Sequence, residues 1–464
     1  MKTKYYSKIK KDLLFERFIK EFEANYNNDI IICYQQDKIL GFLEYNFELN
    51  LITNLNYYKN EVLKLLINKL MILTRQNNQF IYINNDIYLM YKEDLTYFSF
   101  DKDRTIYKAK NIFLNPTRLI KFGKLPTGLN NSITDVNGVL VGHSSINEGN
   151  IHTGVTAILP HQGNIFKNKV IASSYAFNGY GKSMGLIQVE ELGTIETPIL
   201  LTNTLNIGKV SDGLISYLLK ENEDIGTTTG TVNPLVFECN DSHLNDIRAR
   251  VLDEKNVFEA IENASTSFVQ GNVGAGSGMR CHGFKSGIGT SSRVININSV
   301  PYTLGVLVNS NFNVNTSEHL ILNNRPLGEY INNFNESNKD QGSIIIVIAT
   351  DIPLESRQLK RICKRASLGI GKTGGYAGNG SGDIFIAFST ANIINHYPNN
   401  PIINITTLSD DYIDEVFQAT VEATEEAIIN SLLHSKETKG INNHISKSIN
   451  DYQELFDDLY IENH

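Results

Sequence analysis

Residues 342–351 read GSIIIVIATD, in which a glycine and a serine open onto five consecutive β-branched residues, Ile344 to Ile348. β-branched side chains suit a pleated backbone better than a helix. Polar alternation is absent, so neither face of this strand is built for water, and a sheet covered on both faces needs a further layer on each side. Strands of similar chemistry are expected at 138–145 (GVLVGHSS), 153–160 (TGVTAILP), 169–178 (KVIASSYAFN), 302–312 (YTLGVLVNSNF) and 383–390 (DIFIAFST). Between and after them, 210–221, 256–265, 355–370 and 412–435 carry apolar residues at i, i+3, i+4 spacing and read as helices. The layer model that follows has helices packed outside a central pair of sheets.

With 464 residues the chain exceeds what one core buries, since single cores stop growing at ~250–300 residues. Composition changes at 115–131 (NPTRLIKFGKLPTGLNN), where two prolines and several asparagines read as a linker. The expected organisation is a small α+β domain over 1–118, a larger domain over 125–440 and a loosely held polar tail over 441–464. In the small domain 12–26 and 60–76 have helical periodicity, whereas 30–35, 39–47, 79–84, 86–92 and 95–100 read as strands. A hydrophobic fraction of 41% with 20% charged residues excludes a disordered or fibrous chain. The net charge of −8 argues against nucleic-acid binding, which needs a basic surplus to neutralise phosphates. No apolar run of bilayer length and no signal-peptide core occurs, so a cytoplasmic location without membrane contact is expected. The four cysteines, Cys33, Cys239, Cys281 and Cys363, have no CxxC spacing and are expected as reduced, buried thiols.

Seven stretches of the large domain combine glycine with Asn, Ser or Thr: 178–185, 201–208, 233–248, 271–279, 283–293, 306–312 and 378–390. Glycine lets backbone N–H groups approach a developing negative charge, while tight turns alone account for any single loop. GNVGAGSG (271–278) approximates a nucleotide-binding spacing, but the strand–GxGxxG–helix context and the GxxxxGK[ST] pattern are missing. His143, His243 and His282 are scattered and form no metal-ligand spacing, and no GxSxG elbow is present, so neither a metal nor a serine–histidine triad is expected. What remains is Gly342-Ser343. A serine hydroxyl can attack the carbonyl just before it, and hydrolysis of the resulting ester leaves a chain that begins with serine. Such a residue holds both nucleophile and base, because a free α-amine, with a pKa of ~7.7–8.0, accepts the hydroxyl proton near neutral pH.

From about Leu125 to Leu433 the text resembles the DmpA-type family of N-terminal-nucleophile aminopeptidases, which includes L-aminopeptidase/D-esterases and β-peptidyl aminopeptidases. The matching runs include ITDVNGVLVGH (133–143), NGYGKSMGL (178–186), ECNDSHLNDIR (238–248), GNVGAGSGM (271–279), GFKSGIGTSSRV (283–294), GSIIIVIATDIPL (342–354) and SGDIFIAFSTAN (381–392). The resemblance implies an α+β fold, a four-layer αββα sandwich, cut autocatalytically between Gly342 and Ser343. It implies Ser343 as nucleophile, Ser381 and Asp383 as the pair that orients it, and Asn311 as the oxyanion-stabilising amide, with a backbone N–H as the second donor. No metal or organic cofactor is implied; a short peptide or amide substrate and a homo-oligomer, a tetramer, are.

One departure is visible: where the family has Tyr in a GYLND context, this chain has Ser242-His243. His243, with Asn240 in the same segment, and Lys285 in GFKSGIG are candidate substrate-binding residues. The first ~115 residues resemble a GNAT-type acetyltransferase, on 37–47, 57–76 and 83–100. Its cofactor loop would be Tyr57-Tyr58-Lys59-Asn60-Glu61-Val62, which lacks glycine, so loss of acetyl-CoA binding is expected. The function that follows is a self-processing serine aminopeptidase or amidase. Two alternatives stay open: a non-hydrolytic or unprocessed scaffold or regulator on the same fold, and an acyltransferase like the ornithine acetyltransferases.

Overall fold

The computed structural model describes residues 2–6, 29–35, 38–46, 51–57, 63, 66–67, 70, 80–91, 101–103, 106–110, 122–322, 324–330 and 341–452. The chain divides into two compact units, Met1–Ile120 with Phe456–His464, and Lys121–Leu455.

In the first unit β1 (Lys2–Tyr6), β2 (Asp29–Gln35), β3 (Lys38–Asn46), β4 (Leu51–Tyr57), β5 (Phe80–Asn84), β6 (Asp101–Asp103) and β7 (Ile106–Lys110) form one sheet of order 1-2-3-4-5-7-6. All neighbours are antiparallel except β4 and β5. Leu63, Leu66, Ile67 and Leu70 are helical and fully buried, as their i, i+3, i+4, i+7 spacing requires. The segment 86–92 is not the expected strand: α1 (Asn85–Tyr91) is a helix with Leu89 and Met90 exposed. A short apolar run cannot be assigned by periodicity alone, and Asn84-Asn85-Asp86 supplies residues that favour a helix start. The expected helix at 12–26 and strand at 95–100 lie outside the described residues.

The second unit contains two large sheets. One has the order β12 (Thr194–Ile195), β10 (Asn168–Gly179), β22 (Gly380–Asn395), β21 (Gln341–Thr350), β18 (Val300–Asn311), β17 (Ile288–Ile297). The other runs β11 (Ser183–Met184), β14 (Leu235–Cys239), β13 (Ile199–Asn203), β9 (Ile151–Leu159), β8 (Leu140–Glu148). Between them lies the core, in which Ile345, Val347, Ala349, Ile384, Ile386, Phe388 and Leu307 meet Val141, Ile158, Leu201, Leu235 and Phe237. The alternate residues of β21, Ile344, Ile346 and Ile348, are equally buried on the other face, under α5 (Ser356–Lys372) and α6 (Asp414–Leu433). On the second sheet Val155, Ala157, Leu200 and Val236 pack under α3 (Ile207–Glu221) and α4 (Glu254–Glu262). The short α2 (Leu186–Leu192) leans on β10. The layers are thus helix, sheet, sheet, helix, and the unbroken apolar run of β21 exists because both its faces are covered.

Two findings departed from expectation. α6 reads as an amphipathic helix, yet it is buried almost all round from Ala419 to Leu433, carboxylates included. Arg293 of β17, fully buried, donates to Glu422 Oε2 (3.1 Å), Glu426 Oε2 (2.7 Å) and the Phe122 carbonyl (2.8 Å). Glu422 in turn accepts from the Lys124 and Leu125 amides at 2.9 and 3.1 Å, which pins the start of the unit to α6. The polar segment from 441 is also not loose over its described part. β23 (Thr438–Lys439) pairs with β24 (Ile445–Ser446), Ile449 is buried, and Ser448 Oγ donates to Ser435 O at 2.7 Å. Asn450 Nδ2 donates to Leu433 O at 2.7 Å, so side-chain hydrogen bonds do what apolar residues would otherwise do; residues 453–464 lie outside the described set. Among the described residues no helix is long and apolar enough to cross a membrane.

Candidate active site

Ser343 is the third residue of β21, opposite Asn311 of β18 on one side and Gly382 of β22 on the other. Its predecessor has no substitute: Gly342 has φ +131°, and a Cβ there would lie 1.8 Å from the Asn311 carbonyl oxygen. The Ser343 hydroxyl donates to the Gly342 carbonyl oxygen at 2.5 Å, so it stands over the peptide bond it would attack. Only 5% of Ser343 is exposed, which keeps bulk water from competing for that hydroxyl.

Asn311 is held at both ends of its amide. Oδ1 accepts from the Arg280 N–H at 3.0 Å, where β15 (Arg280–Cys281) begins a ribbon with β16 (Phe284–Lys285). Nδ2 donates one of its hydrogens to the Asn240 carbonyl at 3.0 Å, leaving the second for a ligand. Strand parity places Ser343, Asn311 and the Gly382 face on the side that looks into the gap between the sheets. Ser381 and Asp383 flank Gly382 and belong to the opposite face, where Ser381 Oγ donates to Asp383 Oδ1 at 2.7 Å. Both are fully buried.

Asn240 contributes its carbonyl, while its side chain turns back to accept from the Ser242 amide at 2.9 Å. His243 is half-buried and stacked on His444 with centroids 4.4 Å apart, and His444 Nδ1 is 2.9 Å from the His243 carbonyl. Burial, with the Arg280 guanidinium nearby, pushes the His243 imidazole down to about 4, so it is neutral at pH 7. Lys285 is corrected: it is fully enclosed, and its ammonium donates to the Gly276, Met279 and Ser286 carbonyls at 3.1, 2.9 and 2.5 Å. All three of its donors are spent on backbone, so it ties down the glycine-rich loop and offers a substrate nothing. Burial moves its pKa well below the ordinary lysine value. The loop 271–279 is likewise structural: Gly271 and Ile288 exchange backbone hydrogen bonds, and the Gly274 and Ala275 amides donate to Ser145 and Thr156.

A model of peptidase family S58 matches residues 131–446. The chain belongs to peptidase family S58. This S58 chain is 38% identical over 340 residues to the β-peptidyl aminopeptidase BapA of Sphingosinicella microcystinivorans, covering 68% of the one and 84% of the other. It is similar to the PH0078 protein of Pyrococcus horikoshii OT3, at 52% identity and TM-score 0.69 over 72% of this chain and 96% of that one. It is also similar to the L-aminopeptidase D-Ala-esterase/amidase of Ochrobactrum anthropi, a prototype for the serine aminopeptidases and a variant of the Ntn hydrolase fold. There the identity is 32% and the TM-score 0.68, over 74% and 97% of the two chains. The S58 chain therefore has the α+β Ntn-type fold of a hydrolase.

Sequence reasoning missed several residues that shape the S58 site. Asn178 Nδ2 donates to the Ala377 and Gly378 carbonyls at 3.2 and 2.7 Å, bridging the loops on either side of Ser381. Glu238, buried at the end of β14, accepts from the Lys182 amide at 2.8 Å and from the Thr204 hydroxyl. A glutamate inside an otherwise apolar strand, LVFEC, is the signal that could have found it, since a buried carboxylate must have partners. Asp241, one residue after Asn240, is fully buried against Asn203 (3.0 Å), and burial pushes its carboxyl up to about 6.

Proposed function

We propose that the protein is a self-processing serine aminopeptidase in which Ser343 is first the agent of chain scission and then the nucleophile. The observation that carries this reading is the Ser343 hydroxyl held 2.5 Å from the Gly342 carbonyl oxygen, beside a glycine that no other residue can replace. In maturation Oγ attacks the Gly342 carbonyl carbon and the C–N bond breaks, giving an ester and a free Ser343 amine. Water then hydrolyses the ester, so that one chain ends in the Gly342 carboxylate and the other begins at Ser343.

In turnover the freed α-amine takes the hydroxyl proton as Oγ attacks the substrate carbonyl. The negative oxygen that develops is met by the second Nδ2–H of Asn311, whose direction is fixed by Arg280 and Asn240. The protonated amine hands its proton to the departing amine, and water releases the acyl group from Ser343. Ser381 and Asp383 hold the amine from the other face of the sheet. His243 and Asn240 line the substrate side, with a neutral imidazole where the family resemblance implies a phenol.

The substrate class is short peptides and amides with a free N-terminus, supported by the β-peptidyl aminopeptidase and L-aminopeptidase relatives. We read the protein as a cytoplasmic homo-oligomer, a reading supported by the family resemblance. The N-terminal unit reads as a degenerate acetyltransferase-like appendage, since every residue given a role above lies in the second unit. The test is turnover of an aminoacyl p-nitroanilide with and without an added amine. Release at the same rate without the amine, together with an acyl adduct on the Ser343 peptide, is expected; release only with the amine makes the protein an acyltransferase.

A further inference from the structure

A tetrahedral oxyanion accepts more than one hydrogen bond, and Asn311 supplies a single N–H. Asn311 approaches from β18, on one side of β21. On the other side stands β22, and over its glycine passes the loop that follows β10. The ladder between β10 and β22 ends at Gly179↔Gly382, and two residues later the backbone of Gly181 returns to the same glycine. A Cβ built on Gly382 would lie 2.4 Å from the Gly181 nitrogen and 3.1 Å from Ser343 Oγ. The Gly181 backbone and the Ser343 hydroxyl therefore both lie against Gly382 on the face that looks between the sheets, with no room there for a methyl group.

That amide has no acceptor among the described residues, although its neighbours are firmly bonded. The Lys182 amide goes to Glu238 Oε1 at 2.8 Å, Glu238 is held in turn by the Thr204 hydroxyl, and the Asn178 side chain anchors the loop to Ala377 and Gly378. A donor that is fixed on both sides, lacks a partner and borders the nucleophile is preorganised for a charge that exists only during reaction. Gly382 and Gly181 are both needed for the approach, since a side chain on Gly382 would displace the loop.

We propose that the Gly181 N–H is the second oxyanion donor for acyl transfer at Ser343, opposite Asn311. The proposal rests on the reading of Ser343 as nucleophile and deepens it. The test is to replace the Gly181 amide by an ester, incorporating glycolic acid at 181 by nonsense suppression in the full-length chain, which deletes the N–H and adds no side chain. Both proteins are first checked by mass for scission at Gly342-Ser343 and for acylation of Ser343. The expected result is a fall of ~10²–10³ in kcat on the aminoacyl p-nitroanilide with KM little changed. Gly181→Ala serves where the ester chain does not accumulate. Its Cβ meets Gly382 Cα at 3.3 Å and Ile384 Cδ1 at 3.4 Å, so the N–H is kept but pushed out of place, and about a tenfold fall in kcat is expected. Wild-type kcat in an acylated, cut variant overturns the donor and leaves the nucleophile standing. Wild-type protein that never acylates Ser343 overturns both.

Discussion

Gly342 and Asn311 meet in a close backbone approach directly beside Ser343. Replacing Gly342 by alanine puts a methyl group onto the Asn311 carbonyl at a φ that L residues rarely adopt. Gly342→Ala is expected to slow or abolish scission and to destabilise the uncut chain by about 1–3 kcal/mol, read as a lower urea midpoint in a Ser343→Ala background. Asn311→Ala removes the N–H proposed to meet the oxyanion and should lower kcat by ~10²–10³ with KM nearly constant, measured on the cut enzyme.

A third expectation concerns pH. His143 accepts from the Thr156 hydroxyl at Nδ1 (2.9 Å) and donates from Nε2 to the Val269 carbonyl (3.1 Å), a pattern that suits the neutral ring. Burial lowers its pKa from 6.5 to about 4, and that of His282 to about 3. A base whose folded pKa is depressed supports the native state fully above 6.5 and withdraws that support as pH falls toward 4. Each of the two should cost on the order of 1–2 kcal/mol at pH 5 relative to pH 7, while Asp241, held up at about 6, acts in the opposite direction. Urea midpoints at the two pH values check this: the drop should shrink in His143→Gln.

These single residues also show what a sequence can reveal. Ser343 stood out from its own chemistry, a serine after a glycine at the mouth of a strand, whereas Ser381, Asp383 and Asn311 were proposed from the family resemblance. Gly181 gave no signal, because a backbone amide has no letter of its own, whereas Glu238 left one, a carboxylate inside an otherwise apolar strand. Lys285 misled for a related reason: lysine in a glycine-rich loop suggests a ligand, whereas here three carbonyls enclose it.

Among the elements, β21 and α6 mark the two extremes. β21 announces itself, since five β-branched residues in a row admit one reading once both faces are covered. α6 does not, because its buried glutamates look like a solvated face in the sequence and are in fact paired with Arg293 and Lys372. Arg293→Met leaves Glu422 and Glu426 enclosed without their cation and should destabilise the second unit by about 3–5 kcal/mol. Because Glu422 also accepts from the Lys124 and Leu125 amides, the variant should raise hydrogen exchange at those two amides. Unchanged exchange there would detach the linker from the cluster. α1 illustrates the limit of pattern reading at short length, where seven residues with half-buried Ile87 and Tyr88 form a helix although a short apolar run of this kind also suits a strand.

For the entire chain, length implied two folding units and the contacts divide it at Ile120/Lys121. Every residue assigned to chemistry falls after that point, so a chain beginning at Lys121 is expected to mature and to retain its kcat; loss of scission in that shortened chain would give the first unit a part in maturation. A second, covalent division is expected at Gly342-Ser343, inside one sandwich and between two strands' worth of hydrogen bonds that remain after the cut. That division is the central claim, and intact-mass spectrometry of the purified protein tests it most directly. The expected spectrum contains one polypeptide ending at Gly342 and one beginning at Ser343, with Ser343→Ala giving the single uncut chain. An uncut wild-type chain, or the same cut in Ser343→Ala, would contradict it.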